Sequence, residues 1–165
     1  MTRAHASRPQ VGHDCAIGDN VVLSTGAGLA GHAGVRQRVR VGRGAMVGGK
    51  SAVLADVLPY TLVAGNPARC EGLNLVGLRR AGASRAEIRS VAAWVHLAAA
   101  AAAAPLEERV RAARAAGLGA AEGGQEHARA AHVRAFLEGP LPRGLCRPRA
   151  AHPPGPPDPE LDPPP

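Results

Sequence analysis

Aromatic residues are nearly absent from this chain of 165 residues, which contains one Trp, one Tyr and one Phe. Ordinary globular cores take much of their buried area from large aromatic side chains, so this composition favours a thin core of aliphatic side chains. Modules that bind single-stranded nucleic acid by stacking bases on aromatic rings are disfavoured for the same reason.

Cysteine and long apolar segments are also scarce. The three cysteines, Cys15, Cys70 and Cys146, are odd in number and widely spaced, which indicates neither a disulfide framework nor a CxxC metal site. A reducing compartment, the cytoplasm, is therefore expected. The longest apolar run, residues 91–104, is interrupted by His96 and is too short and too rich in Ala to span a bilayer, so no membrane span is expected.

Positive charge is in excess, with 20 Lys and Arg against 13 Asp and Glu and a formal net charge of +7. Such a surface attracts nucleic acid, a nucleotide phosphate or an acidic carrier protein, and charge alone does not choose between them. A compositional bias toward Arg, Ala, Gly and Pro explains the excess equally well. Much of it lies in Arg36, Arg38, Arg40, Arg43, Lys50, Arg69, Arg79, Arg80 and Arg85.

What the chain does contain is a repeat of six residues. An aliphatic residue occupies every sixth position, at Val11, Ile17, Leu23, Leu29, Val35, Val41, Val47 and Val53. A small or β-branched residue follows four positions after each one. This hexapeptide pattern predicts a left-handed parallel β-helix, in which each hexad forms a short strand on one of three faces and buries its aliphatic side chain along the axis. A period of six does not fit an α-helix.

Composition and pattern divide the chain into five segments. They are a disordered leader (1–10), a hexapeptide β-helix (11–58), a connector (59–83) with an extended stretch at 72–80, a C-terminal helical region (84–148) and a disordered Pro-rich tail (149–165).

Three helices are predicted in the C-terminal region. Ser84 is the N-cap of the first, and Glu87, three positions later, completes a capping box. This helix runs into the alanine stretch that begins at residue 98. Pro105 opens the second helix, and the third covers about 125–137.

Two motifs carry a family resemblance: VGHDCAIGDNVVLSTGAGLAGHAGV (11–35) and GLNLVGLRR (72–80). Their order resembles the acyl-carrier-protein:UDP-N-acetylglucosamine O-acyltransferases, which begin lipid A synthesis, and the resemblance spans about residues 11–148. Other hexapeptide transferases share the repeat but not this order of motifs. The resemblance implies a cytoplasmic homotrimer, with no cofactor or metal, that transfers a 3-hydroxyacyl group from acyl-carrier protein to the 3-hydroxyl of UDP-N-acetylglucosamine.

The resemblance also implies the roles of seven residues. His13 is the general base that accepts the hydroxyl proton, because a neutral imidazole can do so near pH 7. Asp14 orients that imidazole, a role that requires a corner, since neighbouring residues of a regular strand point to opposite faces. Gly31 supplies an N–H to the oxyanion and His32 contacts the substrate. The other substrate-binding residues are Gln37, Asn74 and Arg80.

The chain departs from the family pattern in two places. Family members have several more coils before the His13 motif, and two further hexads between His32 and Gln37. If every coil uses three hexads, this deletion moves all later residues by two of the three faces of the β-helix. Gln37, Asn74 and Arg80 are then expected to lose the positions relative to His13 that they have in the family. These departures favour an alternative, a catalytically inactive family fragment that acts as a structural or interaction module.

A third interpretation is a metal-dependent hexapeptide enzyme with His13 and His32 as ligands. A catalytic zinc site normally takes three protein ligands, and the repeat offers no suitably placed third His. Nucleic-acid binding is favoured by charge alone and is not expected.

Overall fold

A computed structural model of the chain describes residues 3–4, 10–29, 38–100, 104–120 and 126–149. Eight two-residue strands come first: β1 (Arg3–Ala4), β2 (Gln10–Val11), β3 (Ala16–Ile17), β4 (Val22–Leu23), β5 (Gly28–Leu29), β6 (Arg40–Val41), β7 (Met46–Val47) and β8 (Ala52–Val53). They are followed by β9 (Thr61–Gly65), β10 (Ala68–Leu73), α1 (Leu75–Arg80), α2 (Arg85–Ala99), α3 (Leu106–Ala115) and α4 (Ala128–Glu138).

The short strands stack in parallel on three sheets, which together we call the strand stack (β1–β9). The first sheet has the order β1-β4-β7-β9-β10, the second β2-β5-β8 and the third β3-β6. A parallel bridge between Val41 and Val57 extends the third sheet. Because successive hexads visit the sheets in turn, aliphatic residues of successive coils pair in register, as Leu23 does with Val47.

The number of hexads in a coil changes along the stack. Three hexads separate Val11 from its partner Leu29, but four separate Ile17 from its partner Val41. With uniform coils of three hexads, Val41 would lie on the sheet of Leu23. The expected rotation by two faces is therefore wrong, because the chain takes an additional hexad between β5 and β6 before it returns to the third sheet. Val35, predicted to lie in a strand, is outside the described residues.

The core of the stack is made of small and aliphatic side chains. Its buried members are Val21, Leu23, Ala27, Val39, Val41, Ala45, Val47, Val53, Val57, Val63 and Ala68. The corners of successive coils touch closely, since a Cβ on Gly18 would lie 2.6 Å from the Arg43 backbone N. A larger residue at that corner would separate the coils.

A second core lies in the helical region (α1–α4) around Trp94, which is fully buried. Ser84 Oγ accepts a hydrogen bond from Glu87 N at 3.1 Å, which confirms the predicted N-cap of α2. Pro105 precedes α3 as predicted, and α4 begins three residues later than the predicted position 125, which is outside the described residues.

The stretch at 72–80 is not extended as predicted, because α1 occupies most of it. Asn74 Oδ1 accepts a hydrogen bond from Gly77 N at 2.9 Å and so caps the helix. This cap satisfies an N–H that a short helix otherwise leaves without a partner.

The chain returns to the stack after α4. Asp56 N donates to Gly144 O and Cys146 N donates to Asp56 O, both at 2.8 Å, and Cys70 N donates to Arg147 O at 2.9 Å. In the predicted disordered leader, Arg3–Ala4 form β1 and Gln10 begins β2, so these residues are ordered. The remaining leader residues and residues 150–165 of the predicted tail lie outside the described residues. None of the described helices has the length and apolar character needed to cross a membrane.

Candidate functional site

His13 and Asp14 form the turn between β2 and β3, on the edge where the second sheet meets the third. His13 Nδ1 lies 3.2 Å from Asp14 Oδ2. Asp14 has a φ of +60°, a left-handed conformation that Asp tolerates better than most residues. The corner that an orienting role of Asp14 requires is present, since this turn brings two neighbouring side chains together.

The contact gives the imidazole a defined orientation. When Nδ1 carries the hydrogen and donates it to the carboxylate, Nε2 keeps its lone pair and can accept a proton. The two side chains are 64% and 59% exposed, so an incoming hydroxyl group can reach Nε2.

The other predicted site residues are not gathered around His13 in the described part of the chain. Gly31, His32 and Gln37 lie outside the described residues. Asn74 precedes α1 and Arg80 ends it.

Asn74 is buried and has both ends of its amide engaged. Besides capping α1, it donates from Nδ2 to Gly44 O at 3.0 Å. Gly77 leaves room for this amide, since a Cβ there would lie 2.4 Å from Nδ2. Gly44 belongs to the turn between β6 and β7, on the edge where the third sheet meets the first. Asn74 and His13 therefore lie at different edges of the stack.

Arg80 differs from Asn74 in being exposed. It lies beside Arg79 in the last turn of α1. Within the described part of the chain no salt bridge or hydrogen bond involves its guanidinium, so this group is available to an anion. Arginine binds phosphate and carboxylate oxygens through a fork of N–H donors.

A cleft of about 370 Å³ separates this edge of the stack from helices α1 and α4. Tyr60 and His132 meet in it, with Tyr60 Oη 2.6 Å from His132 Nδ1. Burial raises the pKa of Tyr60. Burial lowers the pKa of His132, and the positive charges of Arg43 and Arg129 lower it further. Both shifts favour the neutral pair. Sequence reasoning missed it, because no local signal connects residues so distant in the chain.

The cations of this cleft are already paired. Arg43 forms a salt bridge with Asp19. Arg129 forms one with Glu87 at 2.5 Å and donates to Ala81 O at 2.6 Å. His13 does not line the cleft. The His13–Asp14 turn is therefore the stronger candidate for acid–base chemistry.

Residues 56–146 match the protein family described as UDP-N-acetylglucosamine O-acyltransferase, domain 2. This match covers more than half of the chain. The chain belongs to this family. The resemblance found in the motifs is confirmed by a comparison that includes α1–α4 as well as the end of the stack.

Curated relatives match the chain over about half its length. The acyl-[acyl-carrier-protein]–UDP-N-acetylglucosamine O-acyltransferase of Paracoccus denitrificans is 48% identical over 93 residues, which cover 49% of this chain and 36% of the relative. The protein of the same name from Gloeothece citriformis is 46% identical over 90 residues, covering 47% and 33%. The chain thus spans about a third of the length of these family members.

Solved structures of the family match over a larger share of the chain. The UDP-N-acetylglucosamine acyltransferase of Arabidopsis is 31% identical with a TM-score of 0.60, covering 84% of this chain and 53% of that one. The Acinetobacter baumannii structure is 26% identical with a TM-score of 0.64, covering 84% and 55%. The Bacteroides fragilis structure, at 21% identity and a TM-score of 0.64 over 81% and 46%, shows a shared fold.

Proposed function

We propose that this chain transfers a 3-hydroxyacyl group from acyl-carrier protein to the 3-hydroxyl of UDP-N-acetylglucosamine, the first step of lipid A synthesis. The observation that carries the proposal is the His13–Asp14 contact at 3.2 Å in a member of this family. The names of the relatives, which include both substrates, support the same reaction.

The reaction follows from the orientation of His13. Nε2 accepts the proton of the sugar hydroxyl while its oxygen attacks the thioester carbonyl, and Asp14 stabilises the imidazolium. The Gly31 N–H donates to the oxyanion of the tetrahedral intermediate. When the intermediate collapses, the carbon–sulfur bond breaks, and the imidazolium returns its proton to the departing thiolate of the carrier protein.

The assembly that we propose is a homotrimer whose stacks are left-handed parallel β-helices. The three sheets visited in turn by the chain support this fold. In a threefold assembly, one edge of a stack faces a different edge of its neighbour. Arg80 of one copy would then bind the nucleotide phosphate beside His13 of another, and Asn74 would act by positioning α1. Gln37 and His32 are proposed to contact the substrate.

The layout proposed for the chain is a hexapeptide β-helix at 11–58, a connecting segment and a helical region at 84–148. The proposed location is the cytoplasm, where both substrates of the reaction are expected. No cofactor is part of the proposal, because the imidazole, the carboxylate and a backbone N–H supply each group that acyl transfer requires.

The proposal is tested by measuring transfer of a 3-hydroxyacyl group to UDP-N-acetylglucosamine with the purified chain and with His13→Ala. We expect the variant to lose at least about a hundredfold in rate, the lower range of general base catalysis. His13→Gln is the matched control, because it keeps the polar side chain without a basic nitrogen. Equal rates for all three proteins would contradict the role of His13.

A second candidate is an inactive family member that acts as a structural or interaction module. It is favoured because the match covers only about a third of the length of each curated relative. This candidate predicts a folded protein, by circular dichroism and size-exclusion chromatography with light scattering, that shows no turnover. Turnover that disappears in His13→Ala would exclude it.

A further inference from the structure

A serine and a histidine that are distant in the sequence meet in the helical region. Ser90 lies in the second turn of α2, and His127 is the residue that precedes α4. Ser90 Oγ lies 3.1 Å from His127 Nδ1. Among the described residues, this is the one hydrogen bond that either side chain forms. A hydroxyl within hydrogen-bond distance of an imidazole is the arrangement in which a serine is activated as a nucleophile.

Helix packing sets the separation of the two side chains. His127 is the N-cap of α4, and its backbone N–H donates to Gly119 O at 3.3 Å. The helices α2 and α4 share the buried core of the helical region, to which Val91 and Ala130 contribute. Because Val91 directly follows Ser90 and Ala130 lies three residues after His127, this core fixes both residues of the pair.

An ion pair holds the same two helices together. Arg129 binds Glu87 at 2.5 Å, and both side chains are half-buried. Glu87 precedes Ser90 by three residues, and Arg129 follows His127 by two. A charge-assisted hydrogen bond of this kind is stronger than a neutral one. The hydroxyl and the imidazole are therefore held in place from two sides.

The pair lies in a cleft of about 550 Å³ that is bordered by α2 and the turn after α3. The residues that line it are Ala86, Arg89, Ser90, Ala93, Gly119, Ala120 and His127. Most of them are small. Residues three or four positions apart lie on one face of a helix, so Ala86 and Ala93 flank Ser90. Their short side chains leave room for a short acyl group beside the hydroxyl.

Arg89 adds a positive charge to this cleft. Its side chain is exposed, and within the part of the chain that the structure describes its guanidinium takes part in no ion pair or hydrogen bond. Arg134, by contrast, is bonded to Glu126 at 2.9 Å. The N–H groups of Arg89 are therefore available to an oxygen anion that forms next to Ser90.

We propose that Ser90 and His127 form a second catalytic site, which hydrolyses small carboxylic esters with short acyl groups. The tautomer that this requires carries its hydrogen on Nε2, so the lone pair of Nδ1 faces the hydroxyl. Ser90 Oγ attacks the ester carbonyl and its proton passes to Nδ1, while Arg89 donates to the oxyanion. The ester carbon–oxygen bond then breaks, and His127 gives the proton to the departing alcohol.

Water completes the reaction. It attacks the acyl-serine and loses a proton to His127, the bond between the acyl carbon and Ser90 Oγ breaks, and Ser90 recovers its hydrogen from the imidazolium as the carboxylic acid leaves. One ester and one water are thus converted to one acid and one alcohol. Neither UDP-N-acetylglucosamine nor acyl-carrier protein takes part, so this proposal does not rest on the proposed function.

The test is the hydrolysis of p-nitrophenyl acetate by the full purified chain, followed by absorbance. We expect Ser90→Ala and His127→Gln each to lower the rate by about a hundredfold or more. His96→Gln is the matched control, since His96 is exposed in the last turn of α2 and does not line the cleft. It should hydrolyse the ester like the unaltered chain. Thermal unfolding establishes that the variants fold.

A covalent label identifies the nucleophile independently of the rate. An exposed imidazole such as that of His13 also attacks activated esters, but it does not give a stable adduct with a fluorophosphonate. An activated serine displaces fluoride from this reagent and keeps the phosphonate, which peptide mass spectrometry locates. We expect the label on Ser90, and labelling about tenfold or more slower in His127→Gln.

Three results would overturn the proposal. One is no hydrolysis by the folded, unaltered chain, and another is equal hydrolysis by this chain and Ser90→Ala. The third is a folded chain in which Ser90 stays unlabelled. Ester hydrolysis that depends on Ser90, in a chain that transfers no acyl group to UDP-N-acetylglucosamine, would count only against the proposed function.

Discussion

The strand stack and the helical region bury their side chains in different ways. Each coil of the stack buries its inward side chains against the coils above and below it, and burial changes with position, from 46% exposure at Val11 to none at Val53. The helical region instead surrounds one fully buried aromatic residue, Trp94, with side chains from several helices. Burial in the stack thus changes from coil to coil, whereas the described helices share one core.

The difference matters for the candidate site. His13 lies in the turn between β2 and β3, which in the described part of the chain pair with β5 and β6. Arg80 lies on α1, which Asn74 fixes to a covered edge of the stack. Among the described residues His13 is oriented by Asp14 alone, whereas the position of the phosphate-binding candidate is set by the bonds of Asn74 to α1 and to Gly44.

The sharpest test of this comparison makes the same substitution at both ends of one sheet. Val53→Ala should lower the free energy of unfolding by about 2 kcal/mol, because it leaves a cavity in a close-packed core. Val11→Ala should lower it by less than about 1 kcal/mol, since Val11 is 46% exposed. Urea unfolding followed by circular dichroism measures both. Equal losses would contradict this difference in burial between Val11 and Val53.

The period of six predicted the positions of the strands but not the sheet to which each strand belongs. Described strands end at Val11, Ile17, Leu23, Leu29, Val41, Val47 and Val53, which are the repeated aliphatic positions. The period does not say how many hexads make a coil, because every hexad has the same inward residue whichever face it lies on. The additional hexad between Leu29 and Val41 therefore became visible only from the pairing.

Local capping signals were a second source of correct and wrong predictions. Ser84 was identified as an N-cap from a polar residue followed by a capping-box Glu, and the bond to Glu87 N confirms it. Asn74 also caps a helix, but α1 was not predicted, because Gly77 in its first turn has a low helix propensity. The Tyr60–His132 bond arises from the packing of α4 on the stack, which no segment of the sequence encodes by itself.

Removing Asn74 should weaken the contact between the two regions. Asn74→Ala loses the cap of α1 and leaves the carbonyl of Gly44 without this partner. We expect a loss of about 1 to 2 kcal/mol in the free energy of unfolding.

Asn74→Asp is the control, because it keeps an oxygen for the cap but cannot donate to Gly44, so its loss should be smaller. In a transfer assay, Asn74→Ala should raise the KM for the nucleotide sugar more than it lowers kcat. An Asn74→Asp variant no more stable than Asn74→Ala would argue against the cap.

The smallest expected effect is a pH dependence at the contact of α4 with the stack. The folded pKa of His132 is lowered by burial and by Arg43 and Arg129, while Glu87 opposes them. The unfolded chain therefore binds the proton first as the pH falls below about 6.5, the ordinary value for His. Stability from the neutral Tyr60–His132 pair should be complete above that pH and be lost as the pH falls through the lower folded pKa.

His132→Gln removes the titrating group and should flatten this part of the stability profile. The measurement is the difference in unfolding free energy between the two proteins from pH 7.5 to 5. If the difference is constant over that range, His132 has the same pKa in both states, and the two regions are joined without a titrating contact.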